Sequence, residues 1–302
     1  MVKAVSEKKK IQMADIARLA GVSTATVSRA LNGSELINEE TRLRIMELAR
    51  SLNYTINLGA KNLRSGNNST IGVVIPYNPQ NRQSISDPFF LAMLGSLADA
   101  LTDKQYDLLL SRVDSDHLDN VAALYDSGRV GGIIMIGQWG HHDQLNDLAR
   151  RKLPFVAWGA QLPLQLYCSV GSDNQSGGQL ATEHLVGLGR QRIAFMGDKT
   201  LPEPEKRYAG YLKALRKAGL KSEQQLYISS SFAPLDAQRA MKEHLDRHGL
   251  NFDALVAASD IVAIGAMGVL RERGYRVPED VSVVGYDGVE VAARSLAPLT
   301  TV

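Results

Sequence analysis

The segment STATVSRALN, residues 23–32, carries small, hydroxyl and basic side chains that could read a nucleic acid. Short side chains allow a helix to approach a groove floor. Hydroxyl groups can donate to phosphates or bases, and an arginine can bond guanine through two nitrogens. Val27, Ala30 and Leu31 are expected to face inward, which leaves the other side chains of the segment outward. The alternative to DNA contact is a polar surface helix without a ligand. The outward side chains predicted to contact DNA are Ser23, Thr24, Ala25, Thr26, Ser28, Arg29 and Asn32.

Three short helices are predicted to position this segment. MADIARLA indicates a helix that ends at Gly21, a residue suited to the left-handed turn after a helix. Ser23 is a favourable N-cap for the second helix, and Asn38, which two glutamates follow, is one for the third. Two short helices joined by a tight turn are typical of a helix-turn-helix DNA-binding head.

The distribution of charge agrees with this interpretation. The 302 residues have a net charge of +2, and 44% of them are apolar, as in ordinary globular proteins. Residues 1–66 hold 11 Lys or Arg and 6 Asp or Glu, a net charge of +5, whereas the remainder has a net charge of −3. A basic head favours a polyanionic partner, with a solvated basic tail at Lys8, Lys9 and Lys10 as the alternative.

The sequence also predicts the compartment. No run of 18 or more apolar residues is present, so no membrane-spanning helix is expected. The N-terminal residues lack the apolar segment of a secretory signal. Cys168 is the single cysteine, which excludes an internal disulfide. We therefore expect a cytoplasmic protein without a membrane partner.

From residue 70 onward, nine short apolar runs such as TIGVVIPY and VSVVGYD alternate with amphipathic helices. Near-continuous apolar strands separated by helices indicate parallel sheets that are covered on both faces. About ten strands in this length favour an α/β body with two lobes rather than one. Residues 55–69, rich in asparagine and glycine, form the predicted linker to the head.

Candidate ligand-binding residues lie where apolar runs end, because open α/β sheets bind ligands beyond the carboxyl ends of their strands. Tyr77 ends the first run, Phe89 and Phe90 open the following helix, and Trp158 ends PFVAWG. These rings could stack on a sugar or a base, with core packing as the alternative for each. Asp173, after YCSVGS, offers a carboxylate to the same edge.

The sequence resembles the lactose-repressor (LacI/GalR) family of bacterial transcription regulators. The head MADIARLAGVSTATVSRALNGSELINEETRLRIMELARSLNYTIN carries the resemblance, which continues to VSVVGYDGVEVAARSLAPLTTV and covers nearly the whole chain. It implies a head at 1–56, a hinge helix and linker at 57–69, and an effector-binding and dimerisation domain at 70–302. That domain would resemble periplasmic sugar-binding proteins. Its first lobe would span about 70–160 plus the C-terminal end, and its second lobe about 161–290.

The resemblance assigns roles on the DNA side. Thr24 and Ala25 correspond to the main base-reading positions of the family, and Asn57, Ala60 and Leu63 correspond to its hinge pattern. In the family, paired hinge helices enter the minor groove, where the leucine would wedge between base pairs and kink the duplex. A glycine inside this hinge segment costs a helix about 1 kcal/mol relative to alanine. We therefore predict that the hinge helix folds only on DNA.

The resemblance also assigns the effector cleft. Arg207 matches the arginine that binds ligand hydroxyls or a carboxylate, and Asp287 matches the acid that suits sugar hydroxyls or a purine N–H. Phe232 aligns with an aromatic residue of some clefts, and Ser259 stands where many members have asparagine. The set favours a carbohydrate effector, with a purine or nucleoside as the alternative. For Arg207 and Asp287, a surface ion pair is the structural alternative.

An enzyme is the rival class of function. GDKT at 197–200 resembles the phosphorylated-aspartate motif of ion pumps, but Leu-Pro follows it, and no G-x-S-x-G or P-loop motif is present. His244 and His248 stand at i and i+4, but they lack the H-E-x-x-H order, and a solvated face is favoured over a metal pair. We expect no catalytic residue, metal or cofactor.

The prediction is therefore a homodimeric regulator, most consistent with a repressor, that binds an imperfect palindrome in double-stranded DNA and responds to a small effector. A sugar-binding module without DNA function is the remaining alternative. Family members usually continue for a few dozen residues beyond APLTTV and cross back to the first lobe. Two explanations therefore stay open: the sequence is trimmed, or the protein itself is shorter than its family. The sequence also leaves open whether the effector induces or acts as a corepressor.

Overall fold

The computed structural model describes residues 11–54, 68–77, 84–138, 140–295 and 297–302. Contacts divide the chain into two compact units, residues 1–65 and 66–302. Within the described residues, no helix is long and apolar enough to cross a membrane. The predicted hinge residues Asn57, Ala60 and Leu63 lie outside the described residues.

The first unit holds three helices, α1 (Met13–Ala20), α2 (Thr24–Leu31) and α3 (Glu39–Ser51). Helix α1 ends at Gly21, whose φ of 65° is the left-handed conformation that glycine favours. The Ser23 hydroxyl accepts a hydrogen bond from the Thr26 N–H (3.1 Å), and the Asn38 side chain accepts one from the Thr41 N–H (2.8 Å). These caps confirm the predicted helix starts. The buried core side chains are Ile16, Ala17, Val27, Ala30, Ile45 and Ala49.

The second unit contains two parallel sheets. The first has the strand order β2-β1-β3-β4-β5. Its strands are β1 (Thr70–Tyr77), β2 (Asp107–Asp114), β3 (Gly132–Ile136), β4 (Phe155–Trp158) and β5 (Cys168–Val170). Its helices are α4 (Pro88–Asp103), α5 (Asn120–Asp126) and α6 (His142–Arg150), with a 3₁₀ turn at Ser115–His117. In the register, Val73 lies opposite Leu110 on one side and Ile134 on the other.

The second sheet has the strand order β10-β9-β8-β6-β7. Its strands are β6 (Ile193–Met196), β7 (Tyr227–Ile228), β8 (Ala254–Ala257), β9 (Ser282–Gly285) and β10 (Thr300–Thr301). The helices around it are α7 (Asn174–Gly187), α8 (Pro202–Lys217), α9 (Pro234–His248), α10 (Asp260–Glu272) and α11 (Glu290–Ala293), with a 3₁₀ turn at Gln224–Leu226. Strands β6, β8 and β9 are buried along their whole length, which explains their continuous apolar sequences.

The predicted α/β architecture with parallel sheets is confirmed, but the sheets divide the chain differently from the expected lobes. Strand β5 pairs with β4, so the first sheet continues beyond residue 161. Strand β10 pairs with β9, so the C-terminal end belongs to the second sheet rather than the first lobe. The Thr301 hydroxyl donates to the Asp260 carboxylate (2.6 Å), and the Asp287 N–H donates to the Val302 carbonyl (2.9 Å). These bonds hold the last residues against β9 and α10.

Candidate functional site

The side chains predicted to read DNA lie on the exposed side of α2. Val27 and Ala30 are buried in the core of the head, whereas Thr24, Ala25 and Arg29 are exposed. Thr26 and Ser28 are partly exposed at the edges of the same face. Within the described residues, Arg29 has no ion-pair partner, so its guanidinium is available for a phosphate or a base edge.

Two predicted DNA contacts also shape the ends of α2. The Ser23 hydroxyl caps the helix and lies 2.9 Å from the Thr26 hydroxyl. The Asn32 amide donates to the Ser28 carbonyl at 2.8 Å. The start of α2 contains no acidic residue, so the positive end of its dipole is not neutralised by the chain itself. This end of the helix therefore favours a phosphate group.

The second unit has a cavity at the carboxyl ends of both sheets, which we call the effector cavity. Its volume, including space open to solvent, is about 650 Å³. Lining residues follow β3 and β4 of the first sheet and β6, β7, β8 and β9 of the second. The predicted effector residues that line it are Phe89, Phe90, Trp158, Arg207, Phe232, Ser259 and Asp287.

Two predicted effector residues, Tyr77 and Asp173, do not line this cavity. The ring of Tyr77 packs under the Arg112 guanidinium, 4.9 Å from the ring centroid. Asp173 is the N-cap of α7, and its carboxylate accepts hydrogen bonds from the Ser176 N–H (3.0 Å) and hydroxyl (2.6 Å). These bonds to Ser176 lower the pKa of Asp173. Tyr77, at the end of β1, therefore packs against Arg112, and Asp173, after β5, caps a helix.

The aromatic wall of the effector cavity is built from residues of both sheets. The Phe89 ring lies 5.7 Å from the Phe90 ring and 6.4 Å from the Trp158 ring, measured between centroids. Phe89 and Phe232 also pack against the core of the second sheet. Phe90 is only 4% exposed, so it contributes mainly packing, whereas Phe89 and Trp158 are partly exposed and can present their rings to a ligand.

The Arg207 guanidinium is held firmly beside Asp287. Its Nε donates to the Asn174 side-chain oxygen (2.8 Å), its Nη1 donates to the Ala258 carbonyl, and Nη1 lies 3.7 Å from Asp287 Oδ1. The guanidinium carbon stands 3.6 Å from the centroid of the Tyr286 ring. Both charged side chains are almost buried, so this is a cleft interaction and not a surface ion pair.

The Asp287 carboxyl group is in an unfavourable environment for a charge. Burial raises its pKa to about 7, Arg207 partly offsets this effect, and the negative charges of Asp260 and Asp87 raise the pKa further. Its backbone φ is 111°, a conformation that residues other than glycine rarely adopt. At neutral pH, protonated and ionised forms of Asp287 are both populated. The group can therefore donate or accept a hydrogen bond in the cavity.

Comparisons with known proteins decide the family. Residues 12–57 match the family described as bacterial regulatory proteins, lacI family, and residues 182–302 match the periplasmic binding protein-like domain. The HTH-type transcriptional regulator CelR of Thermobifida fusca is 32% identical over 292 residues, which cover 95% of this chain and 85% of CelR. The chain belongs to the LacI family.

Other LacI-family proteins extend this likeness. The transcriptional repressor PurR of Mannheimia succiniciproducens is 31% identical over 299 residues, covering 95% of this chain and 85% of PurR. A structure of a CelR–cellobiose complex has a TM-score of 0.70 and 29% identity, covering 96% of this chain and 87% of that one. A Lac repressor dimer bound to operator and an anti-inducer has a TM-score of 0.80 and 26% identity, covering 97% and 87%. The chain is thus a DNA-binding transcriptional regulator and not an enzyme.

Sequence reasoning missed three polar residues of this LacI-family cavity: Asp87, Gln138 and Glu203. Gln138 lies two residues after the end of β3 (Gly132–Ile136), so the strand-end rule could have found it. Asp87 caps α4 by accepting from the Phe89 N–H (3.0 Å). Glu203 lies in the first turn of α8, where burial raises the pKa of its carboxyl group. No local signal points to Glu203, because only the tertiary fold brings it to the cavity.

The expected solvated face at His244 and His248 is wrong for His244. That ring is 6% exposed, its Nε2 lies 2.8 Å from the Asn251 side-chain oxygen, and it packs against Phe252. Burial lowers the pKa of His244. Among the described residues, no group of three or more His, Cys, Asp or Glu side chains could hold a metal ion. His244 thus packs in the helix layer of the second sheet, whereas His248 is exposed, as expected.

Proposed function

We propose that this regulator is a homodimeric repressor whose operator affinity is controlled by a carbohydrate in the effector cavity. The observation that carries the proposal is the combination of partly exposed aromatic rings, Phe89, Trp158 and Phe232, with the carboxyl groups of Glu203 and Asp287. Aromatic faces suit the C–H faces of a sugar ring, and carboxyl oxygens accept from its hydroxyl groups. A relative whose structure is described as a complex with cellobiose supports this ligand class.

On the DNA side, the proposal places α2 in a major groove. Thr24, Ala25 and Arg29 would reach base edges, while the N-terminus of the helix would contact phosphate. Two heads of a homodimer read two half-sites, so the operator should be an imperfect palindrome. Leu63 of the hinge would wedge in the minor groove at its centre. The Lac repressor structure, described as a dimer on its operator, supports this arrangement. We propose that the protein acts in the cytoplasm.

A purine or nucleoside effector is the second candidate. The observation that favours it is the 31% identity to a repressor named PurR. The same aromatic rings could stack on a purine, and a cavity carboxylate could accept from a purine N–H. The carbohydrate remains our choice because the cavity supplies several acceptors for a ligand with many hydroxyl groups.

The test begins with the protein of residues 1–302 and a thermal-shift panel of cellobiose, other neutral mono- and disaccharides, adenine and inosine. An operator is then selected from a randomised duplex library, and its Kd is measured with and without each stabilising ligand. We expect a sugar to change operator affinity about 5–150-fold, which corresponds to about 1–3 kcal/mol of coupling. The sign of the change distinguishes induction from corepression. A response to inosine or adenine alone would replace the carbohydrate with the second candidate.

A further inference from the structure

Asp260 is a buried acid that lies beside the effector cavity but is not part of its lining. It is the first residue of α10, directly after the cavity residue Ser259, and it is fully buried. Burial raises the pKa of its carboxyl group, and hydrogen bonds to the carboxylate offset part of this effect. A buried carboxylate is costly unless its oxygens are bonded, so the partners of Asp260 indicate its role.

The Asp260 carboxylate binds the turn that follows β9, residues 286–289, which we call the effector turn. Its Oδ2 accepts from the Val289 N–H (2.9 Å), and its Oδ1 accepts from the Thr301 hydroxyl (2.6 Å). The Thr301 oxygen in turn accepts from the Gly288 N–H (3.3 Å), which leaves the hydroxyl proton for Asp260. Both carboxyl oxygens thus face donors, which fits the ionised form of Asp260.

Two further backbone groups of the effector turn are bonded to the same part of the fold. The Asp260 N–H donates to the Tyr286 carbonyl (2.7 Å), and the Asp287 N–H donates to the Val302 carbonyl (2.9 Å). Val302 follows Thr301, the residue that the Asp260 carboxylate binds. Asp260 therefore holds the effector turn directly through its own carboxylate and backbone, and indirectly through the residues of β10.

The effector turn has a backbone conformation that needs this support. The φ angles are 111° at Asp287 and 66° at Gly288, and residues other than glycine rarely adopt the first of these. Such a conformation persists only where surrounding contacts fix it. Gly285, at the end of β9, allows the close approach of α10, because a Cβ atom there would collide with Asp260 Oδ1.

We propose that Asp260 is a positioning residue of the effector site, whose carboxylate fixes the effector turn and thereby sets the Asp287 carboxyl group beside Arg207. Asp287 Oδ1 lies 3.7 Å from Arg207 Nη1, a separation that depends on the orientation of the turn. Thr301 relays the second hydrogen bond from Asp260 to the turn. The inference rests on the proposed function only in taking Asp287 as an effector-binding residue.

Two variants separate the hydrogen bonds of Asp260 from its charge. Asp260→Asn removes the charge, but its amide can still accept from the Val289 N–H and donate to the Thr301 hydroxyl. Asp260→Ala removes the charge and both bonds. If positioning depends on these bonds, Asp260→Asn should retain it and Asp260→Ala should lose it.

Asp253 provides the matched controls, Asp253→Asn and Asp253→Ala. Its carboxylate also accepts two hydrogen bonds, from the Gln191 N–H (2.9 Å) and the Arg192 N–H (3.0 Å). Asp253 directly precedes β8, whereas Asp260 follows that strand, so the two acids lie at opposite ends of the second sheet. Loss of anchoring at Asp253 should leave the effector turn intact.

The first measurement is the pKa of Asp287 in ligand-free protein labelled with ¹³C at its aspartate carboxyl carbons. The NMR signal that is absent from Asp287→Asn identifies the residue. The negative charge of Asp260 contributes to the raised pKa of Asp287, about 7. We expect Asp260→Asn to lower this pKa by about half a pH unit or more, and Asp253→Asn to leave it unchanged. A pKa that does not fall in Asp260→Asn overturns the placement of an ionised Asp260 against the effector turn.

The second measurement is amide hydrogen–deuterium exchange of the effector turn, again without ligand. We expect exchange at least about tenfold faster in Asp260→Ala, and within about threefold of the unaltered protein in Asp260→Asn and Asp253→Ala. Unchanged exchange in Asp260→Ala overturns the positioning role. If Asp260→Ala does not fold, Thr301→Val takes its place, because it removes the relaying hydroxyl and keeps the side-chain shape. The same acceleration is then expected, and its absence has the same meaning.

The third measurement is the Kd of cellobiose and of inosine, by calorimetric titration of the protein of residues 1–302 at pH 8. At this pH Asp287, with a pKa of about 7, is mostly ionised. A probe that binds the unaltered protein should bind Asp260→Ala at least about tenfold more weakly, and Asp260→Asn within about threefold. Equal affinity in Asp260→Ala and the unaltered protein overturns the inference. Binding of neither probe counts against the proposed function alone, because the pKa and exchange measurements use ligand-free protein and still decide the role of Asp260.

Discussion

Replacing Asp287 by asparagine should stabilise the protein at alkaline pH, although it removes a member of an ion pair. The folded pKa of about 7 lies well above the ordinary value of 3.8, chiefly because the carboxyl group is buried. This difference corresponds to a free energy of about 4 kcal/mol against the ionised form in the folded state. The favourable effect of Arg207 is already included in that balance. An asparagine keeps the shape without the charge.

The pH dependence follows from the direction of this pKa change. Between about pH 4 and pH 7 the unfolded chain has lost the Asp287 proton while the folded protein retains it, so wild-type stability falls as the pH rises through this window. An asparagine at this position would carry no titrating proton and would escape this loss. The advantage of Asp287→Asn should therefore be about 2–3 kcal/mol larger at pH 8 than at pH 5.

Calorimetric unfolding at the two pH values measures this difference. For a unit of this size, 2–3 kcal/mol corresponds to roughly 5–10 °C in Tm. Asp280→Asn is the control, because hydrogen bonds from Arg276 lower the pKa of Asp280 to about 2 and the group stays ionised at both pH values. Its effect should not change between pH 5 and pH 8. An Asp287→Asn variant that is less stable than wild type at pH 8, or equally shifted at both pH values, would refute the reasoning.

Three further predictions concern the DNA side. Arg29→Ala should weaken operator binding by about 1–3 kcal/mol at fixed salt, as measured by fluorescence anisotropy, and unchanged affinity would remove Arg29 from base reading. Ser23→Ala and Asn38→Ala should each destabilise the head by about 0.5–2 kcal/mol, because each removes an N-cap. Only Ser23→Ala should also weaken DNA binding in conditions where both variant heads stay folded. Equal losses of affinity would contradict a DNA contact by Ser23. Leu63→Ala should reduce DNA bending in a circular-permutation gel assay, and an equal bend would argue against the wedge.

The head could be predicted almost completely because its signals are local. The glycine after α1, the serine before α2 and the asparagine before α3 each act within four residues of their position in the chain. The exposed face of α2 likewise follows from one short segment with helical periodicity. The run TIGVVIPY coincides with β1, because a strand buried on both faces needs apolar residues throughout.

The effector cavity could be predicted only in part. Trp158 and Tyr77 both end apolar strands, yet only Trp158 lines the cavity. The end of a strand fixes the edge of the sheet, but the direction of the side chain depends on the neighbouring strand, here on Arg112 of β2. Glu203 and Gln138 come together only through the packing of two sheets. No spacing within the chain encodes that distance.

The residues of the head stabilise its fold, whereas two residues of the effector cavity are locally unfavourable. This difference supports a ligand in the cavity. In the head, caps, turn and core all favour the same structure, since DNA contacts it from outside. The cavity instead retains an acid with a raised pKa and positive φ at Asp287, and a buried amide oxygen at Gln138 that has no partner among the described residues. Neutral, well-packed residues would stabilise both positions. That two such unfavourable features lie around one cavity is expected if a bound ligand, rather than the fold, satisfies them.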